Sequence, residues 1–137
     1  MIYITRRERF NSAHRLFKIG YSDSENFELY GKCSNPNWHG HNYVLFVTIK
    51  GNIQEDTGFL MNLKTLSSII KQHIIEPLDH KNINLEVPFL KGIIPTTENI
   101  AIAIWKELEI HLASYPISLH KIRIEETENN SVEYYGN

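Results

Sequence analysis

Apolar positions along the chain follow two different periods, and these define the elements. Ile2 to Phe10 leans towards a strand, its alternation blurred by Arg6, Arg7, Glu8 and Arg9, so one face of it is charged. Asn11 to Trp38 holds no sustained period and carries Gly20, Gly31, Pro36 and many Ser, Asn and Asp residues. An irregular stretch of that length inside a compact chain is usually functional or covered by another subunit. His41 to Lys50 is the strongest strand, β-branched and aromatic, ending at Gly51-Asn52, and Asp56-Thr57-Gly58 marks a turn.

The period then changes. Asn62 reads as a helix N-cap, with Leu63, Leu66, Ile69, Ile70 and Ile74 on one face and Pro77 as the stop. Leu78 to Pro95 is irregular. Thr96 or Thr97 caps a second helix with Ile100, Ala103, Ile104, Leu108 and Leu112 on its apolar face, closed by Pro116. Leu119–Glu126 and Ser131–Tyr135 read as two strands joined at Thr127–Asn130. Ile117 and Leu119 are out of phase with Ile122 and Ile124, which predicts a bulge or a late strand start. The order β, long loop, β, α, α, β, β predicts an α+β fold: an antiparallel sheet covered on one face by two helices. Four such strands leave two open edges, which invite pairing with another polypeptide and so predict an oligomer.

Composition narrows the function classes. A chain of 137 residues is room for one domain, 1–137, and 42% hydrophobic with 22% charged residues is a globular balance. A net charge of -2 argues against nucleic-acid binding, which needs a cationic excess. The apolar runs are too short for a bilayer, and Met1 to Arg7 lacks a leader layout. One cysteine, Cys33, excludes an intrachain disulfide and suits a reducing, cytoplasmic compartment.

The seven histidines matter through their placement. His39 and His41 stand at i and i+2 entering the strong strand, so both imidazoles point to one face and can converge on one metal ion, with Gly40 between them. His14, just past the first strand, reaches the same ion if the two strands pair. Three imidazoles with an open fourth position make the catalytic zinc pattern. His14 read alone is equally a buried histidine bonded to backbone. Cys33 is a fourth ligand that closes the site, a nucleophile or base beside it, or a small buried residue; its polar turn surroundings disfavour the last. Asp79-His80 is a carboxylate that orients an imidazole, or a turn Asp beside a surface His. Thr96-Thr97-Glu98 reads first as helix capping. Glu126, at a strand end, can accept two N–H groups from a guanidine-like edge. His73, His111 and His120 have no evident partners.

The chain resembles the 6-pyruvoyltetrahydropterin synthase / 6-carboxytetrahydropterin synthase family along essentially its whole length. Six ordered segments carry the resemblance: Phe10-Asn11-Ser12-Ala13-His14-Arg15-Leu16, Gly31-Lys32-Cys33-Ser34-Asn35-Pro36-Asn37-Trp38-His39-Gly40-His41-Asn42-Tyr43, Thr57-Gly58-Phe59-Leu60-Met61-Asn62-Leu63, Pro77-Leu78-Asp79-His80-Lys81-Asn82, Thr96-Thr97-Glu98-Asn99 and Glu126-Thr127-Glu128-Asn129-Asn130. The resemblance implies a tunnelling fold, a four-stranded antiparallel sheet with two helices packed on one face. It implies trimers that close a barrel and stack into a homohexamer. It implies one Zn2+ on His14, His39 and His41, a catalytic thiolate at Cys33 with Asp79 and His80 as proton-transfer partners, and a pterin anchored by Glu126 with Thr97 and Glu98 between subunits.

The implied reaction is a zinc-dependent elimination on 7,8-dihydroneopterin triphosphate. It yields 6-pyruvoyltetrahydropterin and triphosphate, or alternatively 6-carboxytetrahydropterin with acetaldehyde, the product of the queuosine route. No nicotinamide is needed, and the sequence offers no Gly-rich dinucleotide loop. Arg15, Lys32 and Lys81 flank the implied site and are candidate triphosphate contacts. Five residues separate Cys33 from His39, the longer spacing of the pyruvoyl enzymes. Trp38 departs from the family pattern, standing where glycine is frequent, beside the ligand pair. Two other classes stay open on the residues alone, a three-histidine zinc hydrolase and a non-catalytic zinc or pterin-binding module.

Overall fold

The computed structural model describes residues Met1–Asn137. Its frame is a sheet of order β3-β1-β2-β4-β5. The strands are β1 (Ile2–His14), β2 (His39–Gly51), β3 (Lys81–Asn82), β4 (Ser118–Thr127) and β5 (Asn130–Tyr134). The four long strands pair antiparallel, as their alternation predicts. The expected four-stranded antiparallel sheet is corrected in one respect. The two residues of β3 add to the C-terminal end of β1 in parallel, Ser12 opposite Lys81 and Ala13 opposite Asn82, making a five-stranded mixed sheet. Two residues are too few to show a period, so only the tertiary pairing reveals them.

The helices are α1 (Asp23–Tyr30), α2 (Leu63–Ile70), α3 (Glu76–Leu78), α4 (Ile83–Glu86) and α5 (Thr97–Leu112). Asn62 caps α2, its side chain accepting from the Lys64 N–H. α2 runs through a π turn, Lys71–Ile75, into α3, so the helix passes Pro77 by one residue before it stops. Proline lacks the N–H that an α-helical ladder needs, and the wider turn lies just upstream of it. α5 buries Ile100, Ala103, Ile104, Leu108 and Leu112, the stripe its period predicts. Leu66, Ile70 and Ile74 of the earlier helix are buried too, whereas Leu63 is half exposed. These residues meet Phe10, Tyr43, Leu45, Val47, Ile49, Ile122 and Ile124 from one face of the sheet in a single core cluster.

Two bulges interrupt β4. Thr48 faces Lys121 and Ile49 faces Leu119, so His120 is the extra residue that the phase change near Leu119 predicts. Glu125 faces Ser131 and Thr127 faces Asn130, which leaves Glu126 without a partner on β5. The expected structureless stretch from Asn11 to Trp38 is also corrected. β1 continues to His14 because it is held by β2, and α1 carries a capping box between Ser22 and Glu25. No helix is long and apolar enough to cross a membrane.

Candidate metal centre and pocket

Register between the first two strands builds the centre. His14 lies opposite His39, Ser12 opposite His41 and Phe10 opposite Tyr43. Alternation sends all six side chains to the helix-covered face. Ring centroids of His14 and His39 are 4.5 Å apart, those of His14 and His41 5.2 Å, and those of His39 and His41 5.0 Å. One ligand nitrogen from each ring lies within 4.8 Å of the others, so the three histidines can hold a metal ion. Gly40 leaves the room this needs, since a Cβ there would stand 3.3 Å from the Ser12 carbonyl oxygen on the neighbouring strand.

The polar bookkeeping fits a cation. Both ring nitrogens of His39 and Nε2 of His41 are buried with no hydrogen-bond partner. Buried polar atoms are rarely left so, and neutral imidazole is the commonest metal donor. His14 is 1% exposed, and its Nδ1 lies 2.8 Å from the Pro95 carbonyl oxygen. A carbonyl only accepts, so Nδ1 carries the proton and Nε2 stays free as a ligand. Burial holds the His14 pKa down at about 4, and burial followed by the His41 charge lowers that of His39. These rings are therefore neutral donors at neutral pH.

That burial has a measurable consequence. His14 binds a proton near pH 6.5 when unfolded but only near about 4 when folded. The unfolded state thus holds more protons between those values, and stability rises with pH across them. The metal-free protein should keep its full stability above pH 6.5 and lose up to about 3 kcal/mol as the pH falls to 4. Urea unfolding of the metal-free protein against pH measures this, and His14→Gln should flatten most of the slope.

Glu126 lines the same region. Its bulge position releases it from the ladder, and Thr97 Oγ1 donates to its Oε2 at 2.7 Å. Its Oε1 is 3.8 Å from His41 Nε2. Glu98 is exposed in the first turn of α5, where the helix dipole favours a carboxylate. Cys33 is half-buried in the 3-10 turn Gly31–Ser34, with its carbonyl accepting from Leu16 N–H at 2.8 Å. It is not a member of the close three-histidine group. The Cys33 thiol and Glu126 are both close enough to the Tyr43 hydroxyl to raise its pKa, although burial is the larger cause.

Asp79 and His80 are joined to each other, His80 Nδ1 to Asp79 Oδ2 at 2.8 Å, but not to Cys33. Asp79 Oδ1 accepts from Asn11 N–H at 2.9 Å, and His80 N–H donates to Asn11 O at 2.7 Å. Together with β3, these bonds fasten the dyad to the edge of β1. There it borders a cavity of about 460 Å³ whose other lining residues are Arg9, Phe10, Asn11, Asn42, Tyr43 and Val44. His80 is held at φ 61°. Within one protomer no hydrogen bond joins the dyad to Cys33.

Trp38 has φ 69°, the left-handed region that glycine adopts freely. A bulky residue held there costs on the order of 1–3 kcal/mol. Of the three candidate cations, Arg15 is committed to the protein itself, donating to the Ser34 carbonyl at 2.7 Å and to Asp23 at 3.2 Å. Lys32 and Lys81 are exposed. Sequence reasoning did not find Tyr43, or the Pro95 carbonyl that fixes the His14 tautomer. It also left His73 and His111 unpartnered, whereas their rings stack 3.4 Å apart.

Fold and site together define an α+β protein able to hold a cation on three strand-borne histidines beside the Glu126 carboxylate. Comparison with known proteins makes this specific. The profile of the family described as 6-pyruvoyl tetrahydropterin synthase matches residues 3–137. A Dictyostelium discoideum protein named 6-pyruvoyl tetrahydrobiopterin synthase is 49% identical over 135 residues, 98% of this chain and 96% of its own. The Homo sapiens protein of that name is 45% identical over 134 residues, 97% and 90% of the two chains. The solved Caenorhabditis elegans 6-pyruvoyl tetrahydropterin synthase superposes with a TM-score of 0.91 at 37% identity, covering 99% of this chain and 96% of that one. A Bacillus subtilis (strain 168) 6-carboxy-5,6,7,8-tetrahydropterin synthase is 30% identical over 87 residues, 62% of this chain and 56% of its own. The chain belongs to the 6-pyruvoyl tetrahydropterin synthase family, and is an enzyme of that type.

Proposed function

We propose that this protein converts 7,8-dihydroneopterin triphosphate to 6-pyruvoyltetrahydropterin with release of triphosphate. The observation that carries the reading is the convergence of three imidazoles, buried His14 with half-buried and partly unpartnered His39 and His41, beside Glu126. Identity of 45–49% to relatives named for the pyruvoyl product, over nearly the whole length, favours that product over the 6-carboxy one. The five-residue interval from Cys33 to His39 favours it too.

His14, His39 and His41 would hold Zn2+, which supplies Lewis-acid polarisation of the substrate's side-chain oxygens. Glu126 accepts two N–H groups from the guanidine-like edge of the pterin, and Thr97 holds the carboxylate still for them. Glu98, one residue on, faces solvent at the rim. Cys33 as thiolate takes the protons from the carbons of the pterin's C6 substituent. Asp79 orients His80, which passes protons onward. Oxidation of that substituent and reduction of the ring balance internally, so no external oxidant or reductant is consumed, and the triphosphate departs with the bonding electrons of its C–O bond. Lys32 and Lys81 remain as exposed cations for that triphosphate.

Because Asp79-His80 is fastened at the β1 edge of the sheet and makes no bond to Cys33 in one protomer, the working site takes Cys33 from one protomer and Asp79-His80 from another. The edge of β1 before Ser12, beyond the two residues that β3 covers, and the edge of β5 suit such pairing, and a homohexamer is the assembly this reading expects. The test is mass spectrometry of the products after the zinc-loaded protein meets 7,8-dihydroneopterin triphosphate. A 6-pyruvoyl product with free triphosphate is expected. A 6-carboxy product with acetaldehyde would move the protein to the alternative reaction, and unchanged substrate would overturn both.

A further inference from the structure

The polar groups around His80 have no task in the steps above. Two neighbouring cavities, of about 440 and about 460 Å³, share Asn11, Asn42 and His80 in their walls and so form one trench. Asn11 and Asn42 face each other across the β1–β2 pairing, and Arg9 precedes Asn11 by two residues on the same face of β1. Alternation turns these three side chains away from the core that holds Phe10 and Tyr43. Lys81, in the wall of the other cavity, pairs with Ser12. Ser12 is three residues beyond Arg9, about 10 Å at the rise of an extended strand. The trench thus has a cation towards each end and two carboxamides between them.

Charge sets these groups apart from their neighbours. On the same face, Arg123 pairs with Glu125 and Lys121 with Glu133, each at 2.9 Å. The Arg7 guanidinium lies over the Phe46 ring, 5.9 Å from its centroid. Arg9 and Lys81 are exposed and have no carboxylate partner, and Asn11 bonds only through its backbone. Asp79 is the one carboxylate in the walls, and it already accepts from the Asn11 N–H and faces His80 Nδ1. What remains is an excess of cationic and N–H donors, a surface that fits an extended polyanion. Substrate chemistry says which one. His80 acts at the carbons of the C6 substituent, and the triphosphate ends that same short carbon chain.

We propose that Arg9, with Asn11, Asn42 and Lys81, binds the substrate's triphosphate in this trench beside the dyad. This rests on the pterin reading given above. The trench and the dyad lie on one protomer, so the subunit that supplies His80 also holds the triphosphate.

Equilibrium binding tests this without turnover. Zinc-loaded wild type, Arg9→Gln and Arg7→Gln are each titrated with inorganic triphosphate and with 7,8-dihydroneopterin, which carries no phosphate. All three share the metal centre, so any contact between triphosphate and zinc is common to them. Glutamine keeps part of the apolar stem and removes the charge, at a position that bonds to nothing else. Arg9→Gln should bind triphosphate about tenfold more weakly and 7,8-dihydroneopterin as wild type does. Arg7→Gln removes the same charge beside the trench but not from its wall, and should lose less than about twofold. In turnover, Arg9→Gln should raise KM for 7,8-dihydroneopterin triphosphate about tenfold with kcat nearly unchanged. Unchanged triphosphate affinity in Arg9→Gln, an equal loss in both variants, or an unchanged KM overturns the proposal. Wild type that binds 7,8-dihydroneopterin but not triphosphate overturns it and leaves the pterin reading standing. Wild type that binds triphosphate but not 7,8-dihydroneopterin overturns the pterin reading, and with it the assignment of this trench to that substrate.

Discussion

Cys33→Ala should lower turnover of 7,8-dihydroneopterin triphosphate by about 10³-fold while leaving the zinc content at its wild-type value. The two halves of this result have separate causes. Proton abstraction from carbon needs a positioned base, and alanine offers none; water can replace the thiolate only poorly. Metal retention follows if the ion sits on the converging nitrogens of His14, His39 and His41, because Cys33 is outside that group. The substitution removes one sulfur from a half-buried turn whose anchoring bond, Leu16 N–H to the Cys33 carbonyl, is made by the backbone and survives. Turnover rate and metal analysis on the same sample check it. Loss of zinc would make Cys33 a closing ligand and the site structural. Full activity would point instead to hydrolysis by metal-bound water, for which no thiol is required.

Most of this site was readable because its parts lie on regular elements. His39 and His41 share a face through the two-residue period alone, and β1–β2 pairing was all that His14 required. The α5 stripe and the β4 bulge at His120 follow from period and phase in the same way. What escaped was held by contacts distant in sequence. β3 exists only because two residues meet the end of β1, and β1 itself passes Phe10 because β2 pairs with polar Asn11 and Ser12. The Pro95 carbonyl reaches His14 across 81 residues. No local pattern encodes such a bond. α1 is a different case: its Ser22-to-Glu25 capping signal was present in the sequence, but the helix buries only Asn26 and has no apolar stripe to draw attention to it. Glu126 was singled out for its charge at a strand end. The bulge that frees it and the Thr97 hydroxyl that fixes it needed the fold.

The separation of Cys33 from Asp79-His80 leads to the sharpest test of how the site is assembled. Cys33→Ala and His80→Ala should each be nearly inactive alone, yet regain activity when their subunits are mixed. If each site takes its thiol from one protomer and its dyad from a neighbour, random assembly of equal amounts gives half the sites an intact Cys33. Half of those meet an intact dyad, so about a quarter of the sites are whole. If instead thiol and dyad act within one protomer, every site in the mixture lacks one or the other, and activity stays at the level of the single variants. The substitutions suit this use. His80 is exposed, and Asp79 still accepts from Asn11 when the imidazole is gone. The dyad loop also keeps the His80 N–H bond to the Asn11 carbonyl and the β3 pairing, all made by the backbone. The variants are co-refolded or co-expressed with different tags, the doubly tagged assembly is purified, and its rate is compared with the quarter expected. Recovery near that fraction means the enzyme exists only as an assembly, because an isolated protomer never brings its base and its proton relay to the same pterin.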